Sequence, residues 1–223
     1  MIDNMEKLTK ICKFEKGCYY TFLALVRAKD YNDKCKSILS VQSGGQLLVR
    51  HWLIDSEEKL RKYKPDMIAL CNSLKCRLYM TTDKKSVVKT LSYMSKQLND
   101  FILNLVISPQ NLEQFSIRRL NVLASASQSE ETSCHNDRKW LIDCDLNKVA
   151  DKTSVLSVIE KISKATEIYN RVLLKTPNGF HIVCDRKMEI GSFLQHQLDM
   201  KELPDWLETK SNALTLLYFN KGE

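Results

Sequence analysis

The chain has 223 residues, 43% hydrophobic and 27% charged, with only 6 Gly and 4 Pro; it can bury a core without disulfide support and falls outside the disordered, collagenous and low-complexity classes. Lys and Arg outnumber Asp and Glu by 34 to 27, and the net charge of +7 permits contact with nucleic acid or nucleotides without demanding it. No run reaches the ~18–20 apolar residues that cross a bilayer, and the N-terminus lacks signal- or transit-peptide character, so the expectation is a cytoplasmic protein with no membrane contact.

Eight cysteines lie at positions 12, 18, 35, 71, 76, 134, 144 and 184, with no Cys-x-x-Cys pair and no His at finger spacing. The expectation is reduced thiols and no structural zinc, with Cys144 and Cys184 acting as small hydrophobes inside apolar runs.

The N-terminal stretch mixes strands and helices. Residues 22–28 and 36–42 read as strands, Ser43-Gly44-Gly45 as a turn, and 47–54 as a third strand. Ser56 opens a helix through Cys71, which Pro65 is expected to kink or restart. Residues 77–81 form a short strand, and Asp83 is placed to cap a helix over 86–106 carrying Val87, Val88, Leu91, Leu98, Ile102 and Leu105 at helical spacing. Lys84-Lys85-Ser86 reads as a cap flanked by solvated lysines rather than an anion site, and Arg118-Arg119 as surface. Residues 124–136 are small, polar and aperiodic, the pattern of a surface loop or an internal boundary.

From residue 140 the pattern sharpens. Strands are predicted at 140–146, 171–176, 180–184 and 213–219, with helices over 153–168 and 190–198 and a turn at Pro177-Asn178-Gly179. The order β-α-β-β-α-β is that of a ferredoxin-like or RNA-recognition-motif-like unit. The chain thus reads as α+β: an N-terminal mixed αβ half (1–123), a polar loop (124–139) and an RNA-recognition-motif-like half (140–223). In that topology the first and third strands are neighbours, two helices cover one face of the sheet, and the other face is free.

Alternation sends Trp140, Ile142, Cys144 and Leu146 to the helices and Asp143 and Asp145 to the free face, roughly 7 Å apart. Phe180, Ile182 and Cys184 turn His181 to that same face. Two like charges there call for a counter-ion, and Mg²⁺ or Mn²⁺ suits hard carboxylate oxygens; the alternative is an edge strand with solvated carboxylates and a His satisfied by a backbone carbonyl. Arg171 and Lys175 either bind phosphate at the border of this face or are ordinary solvated charge. His51, His135 and His196 have no partner at ligand spacing, and neither a Walker loop nor a Gly-x-Ser-x-Gly elbow occurs.

Leu141-Ile142-Asp143-Cys144-Asp145 resembles the hydrophobic-Asp-x-Asp strand motif of the archaeo-eukaryotic primase superfamily, especially its phage and plasmid primase-polymerase branch. Thr176-Pro177-Asn178-Gly179-Phe180-His181 resembles that family's Thr-Pro-x-Gly-x-His stretch. The resemblance covers residues 140–184, about a fifth of the chain. It implies a metal-dependent nucleotidyltransferase of DNA replication, working on nucleic acid and nucleoside triphosphates with Mg²⁺ or Mn²⁺. Asp143 and Asp145 would hold the metal, and His181, with Gly179 in its turn, would meet the triphosphate, Lys175 and Arg171 assisting. The family's third acid is missing from 212–219, where Asn212, Thr215 or the preceding Glu208 would have to substitute. The departure leaves two further classes in view: a degenerate fold that binds nucleic acid, nucleotide or protein without turnover, and a nuclease using the same carboxylates.

Overall fold

Two antiparallel sheets, joined through a shared core, give a mixed α+β architecture. The computed structural model describes residues 1–27, 30, 46–107, 123–134, 138–149, 151–198 and 204–220. The strand expected at 36–42, the turn at 43–45, Arg118, Arg119 and His135 lie outside them.

The first sheet is built on β2 (Cys18–Arg27), whose ten residues are almost all buried. β2 pairs with β3 (Gln46–Ile54) on one side and with β4 (Arg77–Thr81) on the other, and the short β5 (Lys85–Ser86) extends its start. Tyr20, Phe22, Ala24 and Val26 share one core cluster with Met67 and Cys71 of helix α2 (Glu57–Leu74) and with Leu8 and Ile11 of α1 (Leu8–Ile11). Ser56 caps α2 by accepting from the Lys59 N–H at 3.2 Å. The helix runs on through Pro65 rather than restarting there. Pro65 and Arg61 are both exposed, so water can serve the Arg61 carbonyl that loses its helical donor.

Helix α3 (Val87–Ile107) is capped by Ser86, whose Oγ accepts from the Lys89 N–H, and not by Asp83. Asp83 is fully buried and accepts from the Lys139 N–H at 2.8 Å. Nor are the adjacent lysines solvated. Lys84 reaches Glu15 at 2.8 Å, and fully buried Lys85 donates to Ser129 O, Ser133 Oγ and Asn212 Oδ1. The polar stretch expected on the surface is therefore partly internal. Residues 123–128 are helical, Ala126, Ser127, Thr132 and Ser133 are fully buried, and the hydroxyls satisfy local carbonyls, as Ser127 does with Ala124 at 2.9 Å.

The second sheet contains β6 (Trp140–Asp145), β7 (Val172–Thr176), β8 (Gly179–Cys184) and β9 (Leu207–Ser211), in the order β7-β8-β6-β9. Ile142, Cys144, Ile182 and Cys184 pack on Val155, Ile159 and Ile162 of α4 (Lys152–Ala165) and on Ile190 and Leu194 of α5 (Ile190–Leu198). Burial raises the Cys144 thiol to about 12 and the Cys184 thiol to about 11, consistent with inert core positions.

The final strand, β10 (Leu214–Phe219), does not close this sheet as its position in the sequence suggested. It crosses to the first sheet and lies between β4 and β1 (Ile2–Asp3). Five of its six residues are buried, which suits an internal strand. Its predicted place is taken by β9, a polar edge strand with only Leu207 buried. Asn212, at φ 48°, reverses the chain between the two.

Candidate functional site

The two sheets face each other across a polar cleft. β6 and β8 pair in the register Leu141 with Val183, Asp143 with His181 and Asp145 with Gly179. β6 and β9 pair Leu141 with Lys210 and Asp143 with Glu208. Directly paired residues share a face, so Asp143, Asp145, His181, Glu208 and Lys210 all stand on the side away from α4 and α5. That side was expected to be free. Instead Leu141, Val172, Leu174 and Val183 join the first sheet's core cluster, while the polar ends of the same strands line the cleft.

Opposite them, Arg27, Arg77, Tyr79 and Leu216 project from the first sheet, and the hairpin Thr176-Pro177-Asn178 closes one end. The cleft has two lobes, of about 100 and 330 Å³, which share Arg27, Tyr79, Asp143 and His181. Arg77 is almost fully buried; it holds Asp30 through Nε at 2.7 Å and Nη2 at 3.0 Å and lies 4.5 Å over the Phe219 ring. Arg27 lies 5.5 Å over Tyr79, and its buried Nε has no hydrogen-bond partner among the described residues.

His181 bridges the sheets. Its Nδ1 is 3.0 Å from Thr215 Oγ1 on β10, and its Nε2 is 3.5 Å from Asp143 Oδ1. The other Asp143 oxygen accepts from Lys210 Nζ at 3.0 Å, and the same ammonium reaches Glu208 at 2.8 Å. Burial alone would raise the Asp143 carboxyl, but the hydrogen bonds and charges of His181 and Lys210 outweigh it and hold the group at about 2. Asp145 Oδ1 accepts from the Asn147 N–H at 3.1 Å, which fixes the carboxylate at the end of β6.

Gly179 is fixed by close packing. A Cβ there would lie 1.9 Å from the Cys144 carbonyl oxygen, so only glycine lets the hairpin approach β6. It opens β8 itself, which leaves Pro177-Asn178 as a two-residue turn.

The remaining predicted cations stand elsewhere. Leu174 pairs with His181 and Lys175 with Phe180, so Lys175 points to the helical side of β7 and is exposed. Arg171 pairs with Glu167 at 2.6 Å. Neither lines the cleft; among the described residues the cations that do are Arg27, Arg77 and Lys210. Arg27 and Arg77 were legible only as charges ending or starting apolar strands, a pattern that says nothing about which sheet lies opposite. Of the candidate substitutes for a third acid, Thr215 is engaged with His181, and Asn212 accepts from Lys85 and donates to Gln128 O at 2.7 Å. Glu208 is the one in register with Asp143.

Among the described residues no group of three or more His, Cys, Asp and Glu side chains is arranged to hold a metal ion. In kind, the donors fit a hard divalent cation: two carboxylates line one cleft, and a third stands in register with Asp143 on the neighbouring strand. In arrangement, Lys210 already occupies the space between Asp143 and Glu208. No helix among the described residues is long and apolar enough to cross a membrane. No protein-family model, curated protein or solved structure matches the chain.

Proposed function

We propose that this chain is a primase-polymerase-like nucleotidyltransferase, related to the archaeo-eukaryotic primases, that acts on nucleic acid with nucleoside triphosphates and Mg²⁺ or Mn²⁺. The observation that carries the reading is the convergence of Asp143, Asp145 and His181 on one face of a sheet, with Arg27 and Arg77 facing them across the cleft. The order β7-β8-β6-β9, with two helices on one face, supports an RNA-recognition-motif-like unit whose fourth strand is β9.

Bound by Asp143 and Asp145, a divalent cation would supply the charge that aligns a 3′-hydroxyl with an α-phosphate and stabilises departing pyrophosphate. With Nδ1 engaged by Thr215, His181 would turn its Nε2–H, which lies 3.5 Å from Asp143 Oδ1, to a phosphate oxygen once Asp143 holds the cation. Arg27 offers a guanidinium whose Nε has no partner among the described residues, on the side facing the carboxylates.

The test is extension of primed and unprimed templates with labelled nucleotide and Mn²⁺. Extension by the wild-type chain, abolished by Asp143→Asn together with Asp145→Asn in a protein that still folds, supports the reading; cleavage of the template instead assigns the carboxylates to a nuclease. A second reading rests on Lys210. Its ammonium between Asp143 and Glu208 favours a site that retains nucleotide or nucleic acid without turnover. Salt-sensitive binding with neither extension nor cleavage would identify that case.

A further inference from the structure

Asp143 and Glu208 are paired directly across antiparallel strands, where two like charges repel unless a cation intervenes. The cation present belongs to the protein. Lys210 lies two residues beyond Glu208, on the same face of β9, and its four-carbon stem returns the ammonium to 2.8 Å from Glu208 and 3.0 Å from Asp143. The Lys210 side chain is 37% exposed and that of Glu208 64%, so both can swing out without opening the core. His181, at 12%, and Asp143, at 29%, cannot move as freely. The groups facing Lys210 are thus a fixed carboxylate, a movable carboxylate and a cleft whose other cations come from the opposite sheet.

We propose that Lys210 is a resident counter-ion that competes with divalent cations for Asp143 and Glu208, and so keeps the site's intrinsic metal affinity low. The inference rests on the metal-dependent reading above and deepens it by naming what regulates metal entry. A cation drawn to Asp143 must displace the ammonium or share a carboxylate with a like charge. Once displaced, Lys210 is left as a free cation at the cleft's edge, and Glu208 becomes available as a further oxygen donor.

The test measures binding of Mn²⁺ alone, from the loss of the free aqua-ion signal in electron paramagnetic resonance. Lys210→Gln should bind Mn²⁺ about tenfold or more tightly than wild type, a coupling within the usual range for linked sites. Lys210→Arg, which keeps the charge, should resemble wild type. Adding Glu208→Gln to Lys210→Gln should remove most of the gain. Reductive methylation of wild-type Lys210, followed by peptide mass spectrometry, should increase on adding Mn²⁺; this readout needs no variant to fold. If wild type and Lys210→Gln bind Mn²⁺ equally, or Lys210→Arg binds as tightly as Lys210→Gln, the counter-ion role is overturned while the metal reading stands. Methylation that does not change at saturating Mn²⁺ overturns it as well. If neither protein binds Mn²⁺, the metal reading falls and this inference with it.

Discussion

Lys85 donates to the side-chain oxygen of Asn212, so a fully buried ammonium beside the first sheet holds the turn at which the chain leaves the second. Its other hydrogens go to Ser129 O and Ser133 Oγ, both at 2.8 Å. Lys85→Met should take a donor from each of three buried acceptors, of which Ser129 O keeps its bond from Thr132 Oγ1 at 2.8 Å, and destabilise the protein by about 2–4 kcal/mol in urea unfolding. Burial lowers the Lys85 ammonium from 10.5 to about 8, against the pull of Asp83 and Glu130. Between about pH 8 and 10.5 the unfolded chain therefore binds a proton that the native chain has lost, and stability should rise with pH across that window. The rise should be absent from Lys85→Met.

For Asp143 the sign is that of a depressed carboxylate. The folded group stays ionised down to about 2 against an ordinary 3.8, so its contribution is complete above about pH 4 and is lost as pH falls toward 2. After discounting for partial exposure this is on the order of 1–2 kcal/mol. The stability difference between wild type and Asp143→Asn, followed by denaturant unfolding from pH 2 to 6, should open over that interval and then stay flat.

Gly179→Ala drives a methyl into backbone, at 1.9 Å from the Cys144 carbonyl oxygen, and no flexible side chain can yield. The hairpin must retreat from β6 and carry His181 away from Asp143. A loss of about 2–4 kcal/mol in thermal or urea unfolding is expected, with nucleotide affinity falling in whatever fraction remains folded.

Thr215→Val removes the hydroxyl that meets His181 Nδ1 and leaves the strand otherwise packed. Stability should change by less than ~1.5 kcal/mol, while nucleotidyl transfer should fall ~10–100-fold because the ring loses its orienting partner. Rescue by Thr215→Ser, which restores the hydroxyl but not the methyl, would separate this positioning role from a packing defect.

What was legible in the sequence follows from periodicity. Strands 77–81, 140–145, 172–176 and 179–184, and helices 57–74 and 190–198, follow apolar spacing closely, and the adjacency of Asp143 and His181 followed from connection order. Alternation describes faces but not partners. It could not tell that residues 214–219 pair with β4 and β1, because a buried strand reads alike in either sheet. β9 escaped notice because Leu207-Glu208-Thr209-Lys210-Ser211 is an edge strand with one buried apolar residue, and its polarity resembles a loop. Lys210 was missed with it. Lys84 and Lys85 misled in the opposite direction: lysines are seldom buried, and only three-dimensional acceptors from residues 129, 133 and 212 explain why one is.

The pairing of Ile2 and Asp3 with Phe219 and Tyr218, and of Leu214–Leu216 with Tyr79–Thr81, also sets a schedule for biosynthesis. A ribosome adding ~5–20 residues per second delivers β10 on the order of ten seconds after β4. Through that interval β4 presents an unpaired edge flanked by buried-type apolar side chains, a template for pairing with any other nascent chain. The first-made sheet is thus among the last structures completed, and the nascent chain should depend on chaperone shielding until residue 219 has emerged.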